Sequence, residues 1–189
     1  MGPPAVSSAP MSDHRSRLAE IVRSEAVLRG EFKLSSGGTS NVYLDCRRAT
    51  LHPEGAVLTA NLLLDWLETV GIGVDCVGGP TLGADPIVGA MVALSWQRSR
   101  PLPGFLVRKE AKGHGTGQRL EGQHRPGWRA LIVEDTTTTG RSLLDAIHAT
   151  EDAGLHVVAA ACLVDRGERT AETLVGYRFF PIFRFADVT

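Results

Sequence analysis

The chain has few cysteines, and their spacing fits neither a disulfide framework nor a zinc site. Cys46, Cys76 and Cys162 form an odd set without C-x-x-C or zinc-finger spacing, and are expected to be reduced, partly buried thiols of a cytoplasmic protein. No run of about 18 apolar residues is present, so no membrane span is expected. The first dozen residues are rich in proline and small side chains but lack a basic region followed by an apolar stretch. They read as a disordered tail, residues 1–12, and not as a signal peptide. Met1-Gly2 fails the myristoylation pattern because Val6 holds the place that needs Ser or Thr. A net charge of −1 gives no basis for nucleic-acid binding. No internal repeat, interdomain linker or Walker-type Gly-x-x-x-x-Gly-Lys-Ser/Thr stretch occurs. A chain of 189 residues is then expected to form a single domain, residues 13–189, long enough to bury a sizeable core.

What is present is an alternation of helical and strand-like segments, the pattern of an α/β fold with a mostly parallel sheet covered on both faces. Asp13 is read as the cap of a first helix carrying Leu18, Ile21, Val22 and Leu28 and ended by Gly30. Strands are expected at residues 42–46, 75–77, 105–107, 130–133 and 157–164. Helices are expected at 54–70 behind Pro53, at 86–97 and at 142–153, with Gly71 and Gly154 as stops.

The most informative stretch is Leu131-Ile132-Val133-Glu134-Asp135-Thr136-Thr137-Thr138-Thr139-Gly140-Arg141-Ser142. An apolar strand runs into two acids and four threonines, and helical spacing resumes at Ser142. The turn lies at the carboxyl end of a strand and the amino end of a helix, where open α/β sheets bind ligands. Backbone N–H groups of residues 137–141 are expected to point outward with the positive end of the helix dipole, which suits a phosphate monoester. Gly140 is expected to let the backbone approach closely. Two carboxylates beside a phosphate repel it unless they face another part of the ligand. Ribose hydroxyls fit: Glu134 and Asp135 accept from the sugar while Thr137, Thr138 and Thr139 take the 5′-phosphate. Mg²⁺ arriving with the ligand's phosphates would offset the remaining charge.

A second stretch, Arg108-Lys109-Glu110-Ala111-Lys112-Gly113-His114-Gly115-Thr116-Gly117-Gln118-Arg119, sets five basic side chains against one acid among three glycines. Cations on a flexible arm suit a polyanion. A diphosphate leaving group gains negative charge as its bond to a sugar carbon breaks, so positive groups closing over it favour the transition state. Such a lid also excludes water from an electrophilic sugar. Among these cations, His114 is expected to be protonated by the ligand's charge.

Residues 131–142 resemble the phosphoribosyl-diphosphate (PRPP) signature of the type I phosphoribosyltransferases. The Arg-Lys-Glu-Ala-Lys-x-His-Gly string resembles the catalytic loop of orotate phosphoribosyltransferases, and the resemblance extends over about residues 18–185. Leu34-Ser35-Ser36-Gly37-Gly38-Thr39-Ser40-Asn41-Val42-Tyr43-Leu44-Asp45 is similar to the family's wall of the orotate pocket, with Ser35 where many relatives carry Lys. Gly78-Gly79-Pro80-Thr81-Leu82-Gly83-Ala84-Asp85-Pro86 is similar to the diphosphate-binding loop, with Leu82 and Gly83 where Tyr-Lys is common. Val164-Asp165-Arg166 matches an Asp-Arg whose arginine meets orotate, and a guanidinium can hold a planar carboxylate with two parallel hydrogen bonds.

The resemblance implies a small hood, built from the amino-terminal piece and residues 179–185, over the sheet. It also implies a flexible catalytic loop, and a homodimer in which Arg108 and Lys112 act on the partner's site while Lys109 and His114 serve their own. The implied reaction is transfer of the 5-phosphoribosyl group from PRPP to N1 of orotate. Lys112 lies nearest the leaving oxygen, Arg108, Lys109 and His114 hold the diphosphate, and Glu134 with Asp135 hold the ribose. Thr136, Thr137, Thr138, Thr139, Gly140, Arg141 and Ser142 complete the PRPP site. Thr138 and Arg166 meet orotate. Mg²⁺ comes with PRPP and needs no dedicated protein ligands. A purine phosphoribosyltransferase would lack the residue 108–114 string, a nucleic-acid-binding regulator on this fold would show a basic face, and a PRPP-forming synthetase would need ATP machinery.

Overall fold

In the computed structural model, the described residues are 11–33, 38–110 and 119–189. The first element among the described residues is α1 (Met11–Ile21), whose first turn contains Asp13 as an acid near the positive end of the dipole, not as the cap. One wider turn (Val22–Ala26) follows, and the chain is already extended in β1 (Val27–Lys33). The expected continuation to Gly30 is therefore wrong. Leu28 and Gly30 belong to a strand that pairs antiparallel with β2 (Thr39–Leu44), forming a two-stranded sheet of its own.

After the single-turn α2 (Arg47–Thr50) comes α3 (Pro53–Thr69). Pro53 suits its first turn, and His52 Nδ1 accepts from the Gly55 amide at 3.3 Å. Then follow β3 (Cys76–Pro80), α4 (Asp85–Gln97), β4 (Gly104–Val107), β5 (Leu120–Gly122), β6 (Arg129–Thr137), α5 (Arg141–Asp152), β7 (His156–Asp165), α6 (Thr170–Thr173), β8 (Phe179–Arg184) and α7 (Phe185–Val188). Gly71 and Gly154 end α3 and α5 with positive φ of 66° and 84°.

The strands of the main sheet are ordered β5-β4-β3-β6-β7-β8, parallel except for β5. Residues 179–184 are an edge strand of this sheet, aligned with β7 from Ala160 opposite Phe179 to Asp165 opposite Arg184. They are not part of a hood. A largely apolar strand registered beside the apolar β7 gains ladder hydrogen bonds that a covering flap would forgo, and Pro181 is tolerated because the strand is at the edge. Ala130, Leu131, Ile132 and Val133 are fully buried, and such burial stabilises by about 1.5–3 kcal/mol for a Leu, Ile or Val side chain. The period-2 alternation sorts them. Leu131 and Val133 face the layer of α1, α3 and α4, while Ala130 and Ile132 face that of α5. Among the described residues no helix is long and apolar enough to cross a membrane.

Candidate active site

The strand order turns back at β3 and β6: the next strand after β3 lies on one side of it and β6 on the other. In a parallel sheet this opens a crevice at the carboxyl ends of these two strands. β3 and β6 approach so closely there that a Cβ on Gly79 would stand 2.1 Å from the Val133 carbonyl oxygen, so only glycine fits. The chain leaves β3 through a tight loop in which the Ala84 amide donates back to the Pro80 carbonyl at 3.2 Å and the Thr81–Leu82 peptide is cis. A cleft of about 1050 Å³ occupies this crevice. Its walls are residues 43–47 at the end of β2, residues 81–83, residues 108–110 after β4, and Glu134, Asp135 and Thr136.

Glu134 and Asp135 were expected in a turn, but they lie on β6 itself, which runs on to Thr137 with Glu134 opposite Cys162 and Thr137 opposite Asp165. Strand alternation therefore sends the two carboxylates to opposite faces of the sheet edge. Glu134 turns toward α5, where its Oε1 accepts from Ser142 Oγ at 2.8 Å and its Oε2 is buried without a partner. Burial pushes its carboxyl up to about 7, with the Asp135 charge adding to the rise and the Ser142 hydroxyl and Lys109 opposing it. Asp135 turns toward the loop after β3, and Gly83 is so close that a Cβ there would lie 2.3 Å from Oδ1. Burial also raises the Asp135 carboxyl, against the Thr136 amide that donates to Oδ1 at 2.7 Å.

The turn is partly self-satisfied. The Gly140 amide, expected to face a ligand, donates to Thr137 Oγ1 at 3.0 Å. Among the described residues the amides of Thr138 and Thr139 donate no hydrogen bond. Gly140 has φ of 77°, and a Cβ there would meet the Thr173 Cβ at 3.1 Å, so its close approach is to α6. Arg141 and Ser142 open α5. The Arg166 amide donates to the Thr137 carbonyl at 2.8 Å, bringing the end of β7 against the turn. The Arg166 guanidinium lies 5.3 Å from the Phe185 ring centre and does not line the cleft, though its charge reaches the Cys46 thiol in the cleft wall.

On the third side the ends of β4 and β5 are stitched together. The Arg108 amide donates to the Arg119 carbonyl at 2.9 Å, and Arg119 Nε returns a bond to the Arg108 carbonyl at 2.8 Å. Arg108 also pairs with Glu121 at 2.8 Å, and Arg119 grips Asp145 of α5 with both terminal nitrogens. Lys109 lines the cleft beside Glu134. Lys112 and His114 lie outside the described residues, as does Ser35. Sequence reasoning missed Cys46 and Arg47. Arg47 Nε donates to Asp45 at 3.0 Å, and its charge faces Asp135. The only signal available was their position just after the Tyr43-Leu44-Asp45 element. Among the described residues no three His, Cys, Asp or Glu side chains stand together as a metal cage. Glu134 Oε2 is a single buried acceptor, suited to a hydroxyl or other group borne by a ligand.

A family model described as a phosphoribosyl transferase domain matches residues 55–182. The orotate phosphoribosyltransferase of Streptomyces avermitilis is 44% identical over 174 residues, spanning 89% of this chain and 94% of that protein. The chain belongs to the orotate phosphoribosyltransferase family. The orotate phosphoribosyltransferase of Mycobacterium tuberculosis is 42% identical over 180 residues, 92% of this chain and 96% of that protein. A crystal structure of that family member in complex with PRPP superposes with a TM-score of 0.78 at 39% identity, covering 93% of this chain and 98% of that one. An adenine phosphoribosyltransferase from Thermoanaerobacter pseudethanolicus, at 16% identity and a TM-score of 0.65, shares the fold alone with this orotate phosphoribosyltransferase family member.

Proposed function

We propose that this enzyme transfers the 5-phosphoribosyl group of PRPP to N1 of orotate, giving orotidine 5′-monophosphate and diphosphate in pyrimidine biosynthesis. The observation that carries the reading is the crevice between β3 and β6, where two forked carboxylates with Thr136, the loop of residues 81–83 and the Arg108-Lys109 pair line one cleft, just ahead of the threonine turn that follows β6. The C1′–oxygen bond breaks and its electron pair leaves with diphosphate. Orotate N1, having lost its proton, supplies the pair for the new N1–C1′ bond. No side-chain nucleophile is needed, since proximity and charge complementarity provide the acceleration.

In this reading the amides of Thr138 and Thr139, at the entry of α5, hold the 5′-phosphate with Thr136, Thr137 and Arg141 around them. Glu134 and Asp135 accept from the ribose hydroxyls from their two sides. Residues 81–83 cradle the diphosphate, which Arg108, Lys109, Lys112 and His114 neutralise as it departs. Arg166 and Thr138 hold orotate. Glu134 and Asp135 are the acids that would face Mg²⁺ brought by the donor, which would supply positive charge against the leaving group. The enzyme works as a cytoplasmic homodimer of single-domain subunits, with Lys112 crossing to the partner's site, whereas Arg108, expected to cross as well, lines its own subunit's cleft and pairs there with Glu121.

The test is the fall in orotate absorbance on adding PRPP and Mg²⁺ to the purified chain, repeated with adenine, hypoxanthine and uracil. Consumption of orotate alone is expected. No loss of orotate, or equal use of a purine, overturns the reading.

A further inference from the structure

Ser142 stands in the first turn of α5, where a phosphate-binding turn would direct a hydroxyl at the phosphate. Here the hydroxyl is used differently: Oγ donates to Glu134 Oε1 at 2.8 Å. Glu134 is only 9% exposed, and its other oxygen, Oε2, is buried with no partner. An acid pinned at one oxygen and bare at the other is oriented toward whatever the cleft admits.

We propose that Ser142 is a positioning residue, which fixes the Glu134 carboxylate so that Oε2 alone is presented to a ribose hydroxyl of the donor. This rests on the cleft being the PRPP site. The alternative role, direct contact with the 5′-phosphate, would require Oγ to leave a charge-assisted bond of normal length, and the unpaired Glu134 would then be buried with no donor at all.

The groups around Glu134 are few. Asp135 follows it on β6, the buried Cys162 thiol lies opposite on β7, Lys109 approaches from the end of β4, and Ser142 comes from α5. On the β3 side, Gly79 and Pro80 bring no titratable side chain. Ser142 and Lys109 favour the carboxylate, while burial and Asp135 disfavour it. Because the ionised acid is the stronger acceptor for a hydroxyl, activity should rise as pH passes upward through about 7. Removing the Ser142 hydroxyl takes away a bond to the charged form, so this limb should move to higher pH.

The experiment compares the wild-type chain with Ser142→Ala, Ser142→Thr and Glu134→Gln. Ser142→Ala should raise KM for PRPP roughly tenfold, the worth of one charge-assisted hydrogen bond. It should shift the acid limb of kcat/KM upward and leave inhibition by inorganic phosphate unchanged. Ser142→Thr, which keeps the hydroxyl, should restore both. Glu134→Gln should abolish the limb, and adding Ser142→Ala to it should cost less than Ser142→Ala alone. A phosphate inhibition constant that rises in step with KM would make Ser142 a phosphate ligand and overturn the proposal. So would wild-type behaviour of Ser142→Ala, or full additivity with Glu134→Gln. Should Ser142→Ala fail to fold, Ser142→Gly takes its place in the same comparison with Ser142→Thr and Glu134→Gln. PRPP binding by calorimetry follows the same comparison without turnover, so failure of orotate transfer and failure of this proposal are told apart.

Discussion

Gly83→Ala is the sharpest single test of how the loop after β3 and the end of β6 interlock. The added Cβ would lie 2.3 Å from Asp135 Oδ1 and 2.8 Å from Cγ, whereas ordinary contact begins at 3.4 Å, so the loop or the carboxylate must give by about 1 Å. Both are tethered. Oδ1 already accepts from the Thr136 amide at 2.7 Å, and the loop is closed on itself by the Ala84–Pro80 hydrogen bond. Overpacking of this kind costs about 1–3 kcal/mol, which lowers Tm by about 2–12 °C in a chain of this size. The functional loss should match the upper end of that range, because a displacement of about 1 Å at a positioning group costs about 10²-fold in rate, or about 2.7 kcal/mol. Thermal unfolding followed by fluorescence, together with kcat/KM for PRPP, reads both. A Gly83→Ala enzyme that keeps its kcat/KM within about twofold would refute the idea that Asp135 is held for the ribose by this contact.

Lys112→Ala should lower turnover far more than it weakens PRPP binding, since its charge is asked to act on the departing diphosphate; equal losses in kcat and in affinity would remove that role. Arg166→Ala should raise KM for orotate about 10- to 150-fold, the cost of charge-assisted hydrogen bonds, and leave KM for PRPP unchanged. Arg166→Lys should not restore it, because an ammonium cannot make two parallel bonds to a carboxylate. A shift in KM for PRPP alone would move Arg166 out of the orotate site. Mixing subunits that carry Lys112→Ala with subunits that carry Asp135→Asn should recover activity through one intact site per hybrid dimer. No recovery over either parent would argue against loops shared between subunits.

Much of this architecture was readable from residue pattern. The apolar runs at residues 130–133 and 157–164 and the Gly71 and Gly154 stops name the central strands and the ends of α3 and α5, because burial and positive φ restrict composition strongly. The residues around them were harder to read. Leu28 continues the helical spacing of Leu18 and Ile21, so local pattern cannot announce that antiparallel pairing with β2 takes over at Val27. Phe179 to Arg184 is apolar enough for either a flap or a strand, and only its ladder with β7 decides. At the site, the adjacency of Glu134 and Asp135 suggested one shared task. Strand alternation separates them, giving one to α5 and the other to the loop after β3. That Gly83 abuts Asp135 could not be read at all, since the two are 52 positions apart in the chain (135 − 83).

Asp145 does not line the cleft, yet it holds Arg119, and Arg119 in turn fastens the outgoing end of the cation-rich segment to its incoming end. The helix that begins at the threonine turn thus also serves as the mooring post for the opposite rim. A change at this one exposed carboxylate, outside the cleft, would therefore loosen the anchorage on which Arg108 and Arg119 are set.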